Sequence, residues 1–321
     1  MQAIINNSYG APQEVMELQD VDIPTPDEDE ILIEIHATAI NDYDWSMARG
    51  RPFLYRLLFG INKPKNRIAG MELSGIVRSI GSNVEKWKID DHVYGDLSDF
   101  GFGSFAEYIC INQNAVCQKP EEMSFEEAAA LPHAALLAWQ ALGENGISKH
   151  QNILVNGAGG GVGTNALHLA KMHGVTTTGV DSAHKGPYLK SIGYDHVIDY
   201  RESDFTKNGM QYDLILDCKS SRSAFTIMRS LSPEGTYVTI GGKISTLIGL
   251  LFWGKIFSLF SKKRIRVHSL RPNDGLDKIS ALFKEGKIRP TIDGPYALKE
   301  VPRLVEYFGA GEHRGKVVIK L

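Results

Sequence analysis

The chain is poor in cysteine: Cys110, Cys117 and Cys218 are the only three in 321 residues. Three scattered cysteines build neither a disulfide framework nor a four-cysteine zinc site. An excess of one charge is missing too. There are 35 Lys and Arg against 38 Asp and Glu, a net charge of −3, which argues against a nucleic-acid-binding protein. The start, Met1-Gln-Ala-Ile-Ile-Asn, lacks the charge, apolar core and cleavage site of a signal peptide and reads directly as a strand. Internal repeats and low-complexity linkers are also absent. What remains is 43% hydrophobic and 23% charged residues, globular values over a length that suits two domains. These features describe a soluble, cytoplasmic protein in a reducing compartment.

One segment departs from that pattern. Residues 244–260 are mostly apolar and are followed by Lys262, Lys263 and Arg264. The run is at the short limit for a bilayer span and has Lys255 inside it. It also lies between two predicted strands of one sheet, which spanning would tear apart. A helix covering a pocket or a subunit contact is the favoured reading, with transient membrane contact left as the alternative.

Residues 1–122 read as all-β, with short alternating strands such as Ile31-Leu-Ile-Glu-Ile-His36 and turns at Pro24-Thr-Pro26, Gly81-Ser-Asn83 and Gly101-Phe-Gly103. At Ser124 the character changes: Glu127 three residues later completes a capping box, ahead of Ala128-Ala-Ala-Leu131. From residue 152 the chain alternates strand and helix. Strands are predicted at 152–156, 175–181, 196–199, 212–217, 236–240 and 264–269, the number of a complete doubly wound parallel sheet. The tail carries helices near 275–286 and 298–309 and a closing strand, Lys316–Lys320. That strand is expected to rejoin the first domain for want of a partner nearby. The domains are thus drawn as 1–122 with 270–321, and 123–269.

The most informative stretch is Gly157-Ala158-Gly159-Gly160-Gly161-Val162-Gly163, after the apolar run Ile153-Leu154-Val155. Glycines between a strand and a helix let the backbone press against a pyrophosphate, and the helix N-terminus adds unpaired N–H groups and a positive dipole end. Eighteen residues past Gly163, at the end of the next apolar run, Asp181 is placed to accept hydrogen bonds from an adenosine ribose. Together these features predict a Rossmann fold binding NAD(P)H.

Further motifs lie in order along the chain: Ala37-Thr-Ala-Ile-Asn41-Asp-Tyr43-Asp44, Gly70-Met-Glu72-Leu-Ser-Gly75, Val84 to Gly95, Gly103-Ser-Phe-Ala-Glu107-Tyr, Ala128 to Pro132, Asp199-Tyr200, Tyr212 to Asp217, and Gly315-Lys-Val-Val. With a β-rich front, a late dinucleotide fold and a returning tail, they resemble the medium-chain dehydrogenase/reductase superfamily. Within it they are similar to the zinc-free quinone oxidoreductase (zeta-crystallin-like) branch. The resemblance implies an α/β protein: a Rossmann doubly wound parallel six-stranded sheet plus a β-rich GroES-like catalytic domain. It also implies a homodimer joined through the edge strand near Arg264–Ser269.

In the zinc-dependent members, the positions matching Asn41 and Met71 are cysteine and histidine ligands, and the third ligand aligns near His133. Asn41 and Met71 cannot replace thiolate and imidazole, and catalytic zinc needs about three protein ligands, so no metal is expected. Without a Lewis acid the implied reaction is hydride transfer to a quinone or an α,β-unsaturated carbonyl. A zinc-free alcohol or aldehyde oxidoreductase, or a cofactor-binding structural or regulatory protein without turnover, are the alternatives.

Candidate catalytic residues are Asn41, as a carbonyl donor or ribose contact; Tyr43, as a phenolic proton donor or a packed core ring; and His133, as a proton donor or a structural histidine. Tyr55 is a candidate pocket residue, and Ser46 stands where relatives often have a tyrosine. For the cofactor, Gly157, Gly159, Gly160, Gly161, Val162 and Gly163 face the pyrophosphate, and Gly241 and Gly242 either give room at the nicotinamide or simply form a turn. Lys316 would reach the phosphates from the tail. Asp181 favours NADH by repelling a 2′-phosphate, whereas Lys185 and Tyr200, with Ser182 and His184 nearby, leave NADPH open.

Overall fold

A computed structural model describes residues 1–143, 147 and 151–321. In chain order its elements begin with β1 (Gln2–Asn6), α1 (Pro12–Val15), β2 (Met16–Asp20), β3 (Glu30–Ala39), α2 (Asp42–Arg49) and α3 (Phe53–Phe59). There follow β4 (Glu72–Ile80), β5 (His92–Asp96), β6 (Tyr108–Asn112), β7 (Cys117–Gln118), α4 (Phe125–Ala130) and α5 (Pro132–Leu142). Next come β8 (Asn152–Asn156), α6 (Gly161–Lys171), β9 (Thr176–Asp181), α7 (Gly186–Ile192), β10 (His196–Asp199), β11 (Tyr212–Asp217), α8 (Ala224–Ser230) and β12 (Leu231–Thr239). The last are α9 (Ile244–Phe260), β13 (Arg264–Val267), α10 (Leu276–Lys284), β14 (Ile292–Ala297), α11 (Val301–Ala310) and β15 (Lys316–Lys320).

The chain divides into two compact units. One comprises Met1–His133, Pro272–Ser280 and Pro290–Leu321, the other Ala134–Arg271 and Ala281–Arg289. Residues 123–133, drawn with the second domain from sequence, therefore go with the first. The reason is α4, which packs on β3, β4 and β15 through Ala129 and Ala130 against Ala37, Ala39 and Val318. The Ser124 box forms as read: the Glu127 N–H donates to Ser124 Oγ at 3.1 Å and the Ser124 N–H to Glu127 Oε2 at 3.0 Å.

In the first unit β3 is the organising strand. Its alternation sends Ile31, Ile33 and Ile35 into the core with Leu73, Val77 and Val93, as period-two patterning requires. The main sheet runs β14-β15-β3-β4-β5-β7, and β6 also pairs with β3. The closing strand β15 does return to β3, antiparallel. It also has a partner close by that sequence reading missed: β14 runs parallel to it, with a register shift between Asp293 and Tyr296. Nor is the front all-β, since α1, α2 and α3 interrupt the strands.

The second unit has six parallel strands in the order β10-β9-β8-β11-β12-β13. In order of appearance that is 3-2-1-4-5-6, the doubly wound dinucleotide arrangement with its switch point between the first and fourth strands. Buried on both faces, these strands read as continuous apolar runs. The predicted strand over 264–269 is shorter than expected and forms one edge of the sheet.

Candidate active site and cofactor site

At the switch point, β8 ends in Asn156 and β11 in Asp217, paired in parallel register. The Asn156 Nδ2 donates to Asp217 Oδ1 at 2.7 Å, and the Tyr237 hydroxyl donates to Oδ2 at 2.8 Å. Burial pushes the Asp217 carboxyl above its ordinary range against those hydrogen bonds. This pairing ties together the strand ends from which the glycine loop departs.

The loop turns into α6, whose N-cap is Gly160, with no side-chain cap and no acidic residue in its first turn. Gly160, Gly161 and Val162 are half-buried rather than sealed. Gly163 permits the close approach, because a Cβ there would lie 2.5 Å from the carbonyl oxygens of Ala158 and Gly157. An uncapped helix N-terminus behind a glycine turn is a cradle for anionic oxygen, so these residues fit a dinucleotide pyrophosphate.

At the end of β9 the two opposed specificity residues meet. Asp181 Oδ2 accepts the Gly159 N–H at 2.8 Å, and Oδ1 accepts the Ser182 N–H at 2.9 Å. Lys185, itself buried, brings Nζ to 3.6 Å from Asp181 Oδ1. Ser182 Oγ lies 3.1 Å from His184 Nδ1. Tyr200 is exposed and donates its backbone N–H to the Asp181 carbonyl at 3.1 Å. Gly241 and Gly242 face the 218–220 loop: the Ser220 N–H donates to Gly241 O at 2.9 Å, and a Cβ on Gly242 would meet Ser220 Oγ at 2.3 Å. Their smallness serves backbone packing at that loop.

The first unit holds a buried polar network centred on Glu72, a residue the sequence reading quoted without assigning. Glu72 Oε2 accepts Asn41 Nδ2–H at 2.7 Å, and Oε1 accepts the His133 backbone N–H at 2.6 Å. Lys316 Nζ makes an ion pair with Glu72 and donates to Asn41 Oδ1. The Lys316 ammonium is buried against Glu72, because a charge taken from water needs its counter-charge adjacent. Glu72 and Lys316 engage both ends of the Asn41 carboxamide, and its backbone N–H donates to Asp44 Oδ2 at 2.8 Å. It is the N-cap of α2. Asp44 also accepts the Gly70 N–H at 3.0 Å, and its complete burial pushes its carboxyl up to about 7.

His133 is better placed for chemistry. Its Nδ1 lies 2.7 Å from Asp96 Oδ2, with the histidine side chain 13% exposed and the aspartate fully buried. Burial pushes the Asp96 carboxyl up, but the hydrogen bond and charge of His133 and the Ser98 N–H outweigh it, leaving the carboxyl below its ordinary range. An ionised carboxylate can only accept, so Nδ1 carries the proton and Nε2 is the free end of the ring. Neither Asp96 nor its pairing was legible in sequence.

Tyr43 and Tyr55 are brought together. Their rings meet edge to face at 5.8 Å, Tyr55 stacks with Phe59 at 5.8 Å, and Phe102 closes the group at 5.5 Å from Phe59 and 6.4 Å from Tyr43. Burial, then the charges of Asp96, Asp42 and Asp99, raise the Tyr43 phenol, and burial takes Tyr55 to about 12. Both phenols therefore keep their protons. Ser46 is buried within α2. Met71 is completely buried, and among the described residues no three His, Cys, Asp or Glu side chains are grouped so as to hold a metal ion.

Comparison with known proteins agrees with this architecture. Residues 27–121 match the family model of the alcohol dehydrogenase GroES-like domain, and residues 192–319 match that of zinc-binding dehydrogenases. The chain is 30% identical to the chloroplast envelope quinone oxidoreductase homolog of Arabidopsis thaliana, over 100% of this chain and 98% of that protein. It is also 30% identical to the 2-methylene-furan-3-one reductase of Solanum lycopersicum, over 99% of this chain and 79% of that protein. The solved quinone oxidoreductase of Coxiella burnetii superposes with a TM-score of 0.86 at 29% identity, covering 100% of this chain and 99% of that one. The chain belongs to the medium-chain dehydrogenase/reductase superfamily, in its zinc-free quinone oxidoreductase branch.

Proposed function

We propose that the protein is a zinc-independent, NAD(P)H-dependent reductase that delivers hydride to a quinone or an α,β-unsaturated carbonyl. The observation that carries this reading is the uncapped α6 N-terminus behind the glycine loop, at the switch point of a complete dinucleotide sheet. Bound NAD(P)H supplies the hydride. The chain's own groups bind, orient and hold protons. The N–H groups of Gly161, Val162 and Gly163 take the pyrophosphate, and Asp181 takes the adenosine ribose. The rings of Tyr43, Tyr55, Phe59 and Phe102 offer flat apolar faces to a planar conjugated acceptor. His133, its Nδ1–H held by Asp96, presents Nε2 as the ring atom that takes a proton from solvent and passes it to the reduced oxygen or carbon. Its support is the carboxylate–imidazole pair at 2.7 Å.

Zinc independence rests on donor chemistry: Asn41 is a carboxamide already engaged by Glu72 and Lys316, and Met71 is a buried thioether. NADH is the preferred cofactor because the Asp181 carboxylate repels a 2′-phosphate, while Lys185 beside it keeps NADPH usable. The working form is a cytoplasmic homodimer joined at the outer edge of β13, the strand that ends the parallel sheet.

Steady-state oxidation of NADH and NADPH against a panel of quinones, enones and aldehydes tests the reading. Turnover with quinones or enones and not with simple aldehydes is expected. Turnover confined to aldehydes, or tight cofactor binding without turnover, would replace it with the alternatives. One zinc per chain by metal analysis would refute the zinc-free assignment.

A further inference from the structure

The reductase reading leaves α9 unexplained. This helix of 17 residues carries no acid and packs on β13 and α8 in the second unit. Its inward side is well defined: Leu250 and Gly254 are buried, and Trp253 and Phe257 pack against Phe225. The opposite side is not covered. Ile244, Ile248, Leu251, Phe252 and Leu259 are 41–76% exposed. With exposed Lys255, their spacing of four, three, one, three and four residues places all six on one stripe of the helix. Single exposed apolar residues need no explanation, but a continuous stripe of them does.

Charge identifies the occupant. Between residues 235 and 273 the chain has seven Lys and Arg and not one Asp or Glu, in a protein whose net charge is −3. Lys243 precedes the helix, Lys255 sits on the stripe, and Lys262, Lys263 and Arg264 follow it. Glu234, outside that segment, answers Lys262 at 2.6 Å. A second copy of this face would bring like charges together. An anionic lipid surface answers both features at once, with acyl chains for the stripe and headgroups for the cations.

Length and packing decide how the helix would sit. No helix among the described residues is long and apolar enough to cross a membrane, and 17 residues span roughly 26 Å, short of a hydrocarbon core of about 30 Å. Gly254 also fastens the helix to the sheet, since a Cβ there would stand 3.0 Å from Ile265 Cβ. We propose that α9 is an interfacial helix that docks this protein, in plane, on anionic bilayers. Lys255 then extends from the stripe to the headgroups.

The test is co-sedimentation of the full-length protein with phosphatidylcholine vesicles and with vesicles containing added phosphatidylserine. Binding to the anionic vesicles at low salt, weakened by high salt and weak on phosphatidylcholine alone, is expected. Lys255→Glu should weaken binding about thirty-fold, from about fivefold for each of two unit charges near an anionic surface. Ile248→Ser with Phe252→Ser should weaken it at least tenfold. Both variants should keep the wild-type melting temperature and cofactor affinity, which separates this proposal from failure of the reductase reading. Equal binding to both vesicle types, no binding to either, or loss of a lipid-free dimer in sedimentation velocity on making these substitutions would overturn it, the last by assigning the face to a second copy.

Discussion

Replacing Lys316 with Met probes what the tail lysine does. In the wild-type protein its ammonium is 5% exposed and pairs with Glu72, whose side chain is fully buried. After the substitution Glu72 keeps two donors, Asn41 Nδ2 at 2.7 Å and the His133 N–H at 2.6 Å, but no counter-charge. Breaking a buried pair from one side costs about 3–5 kcal/mol, because the remaining ion stays desolvated and uncompensated. For a domain of this size that corresponds to a fall in melting temperature of roughly 6–20 °C. The double variant Glu72→Gln/Lys316→Met removes both charges, and the glutamine can still accept the His133 N–H and bond to Asn41. It should lie within about 2 kcal/mol of wild type. Urea unfolding measures the changes in free energy, and cofactor titration supplies the opposing result. If Lys316→Met costs less than about 1 kcal/mol but raises the cofactor dissociation constant, the lysine serves phosphate after all and the buried-pair account is refuted.

Other consequences are equally direct. Asp181→Ala removes the acceptor of the Gly159 and Ser182 N–H groups and the carboxylate beside Lys185, so kcat/KM for NADPH relative to NADH should rise by about tenfold or more, on the order of 1.4 kcal/mol; an unchanged ratio removes Asp181 from specificity. Because the buried Asp44 carboxyl is raised from 3.8 to about 7, folding takes up a proton between those values, and stability should fall as pH rises from about 4 to about 7. Asp44→Asn cannot show that slope, and parallel pH profiles of unfolding free energy for the two proteins would contradict it. His133→Asn should lower kcat by about a hundredfold at an unchanged melting temperature, whereas a melting-temperature loss with kcat unaltered would make the residue structural. Gly242→Ala puts a Cβ 2.3 Å from Ser220 Oγ at a φ of +147°, which should cost about 1–3 kcal/mol in thermal unfolding experiments.

What sequence reading captured and missed divides along the distance over which the signal acts. The strands over 152–156, 196–199 and 212–217 appear with the predicted bounds, because parallel strands buried on both faces leave unbroken apolar runs and their turns are marked by glycine and acid. The glycine loop was legible for the same local reason. By contrast, β14 contains Gly294 and Pro295, which read as a turn. It is a strand only because β15 pairs with it across a register shift. The helix α2 was missed although Asn41 and Asp44 stand at N-cap and N3, since in a short mixed segment after a long strand that pair reads equally as a turn. The least legible pairing has the longest range. Asn41 and Lys316 are 275 residues apart in the chain, and neither position announces the other. A cation near the tail seeks an anion, and the one that Lys316 meets is Glu72, in its own unit. The same logic raises His133. A lone histidine at the start of α5 carries no assignment by itself; what singles it out is that β5 delivers a buried, ionised Asp96 to its Nδ1. The candidate cofactor residues are thus encoded locally, while the buried ion pairs of the first unit are encoded by sheet topology.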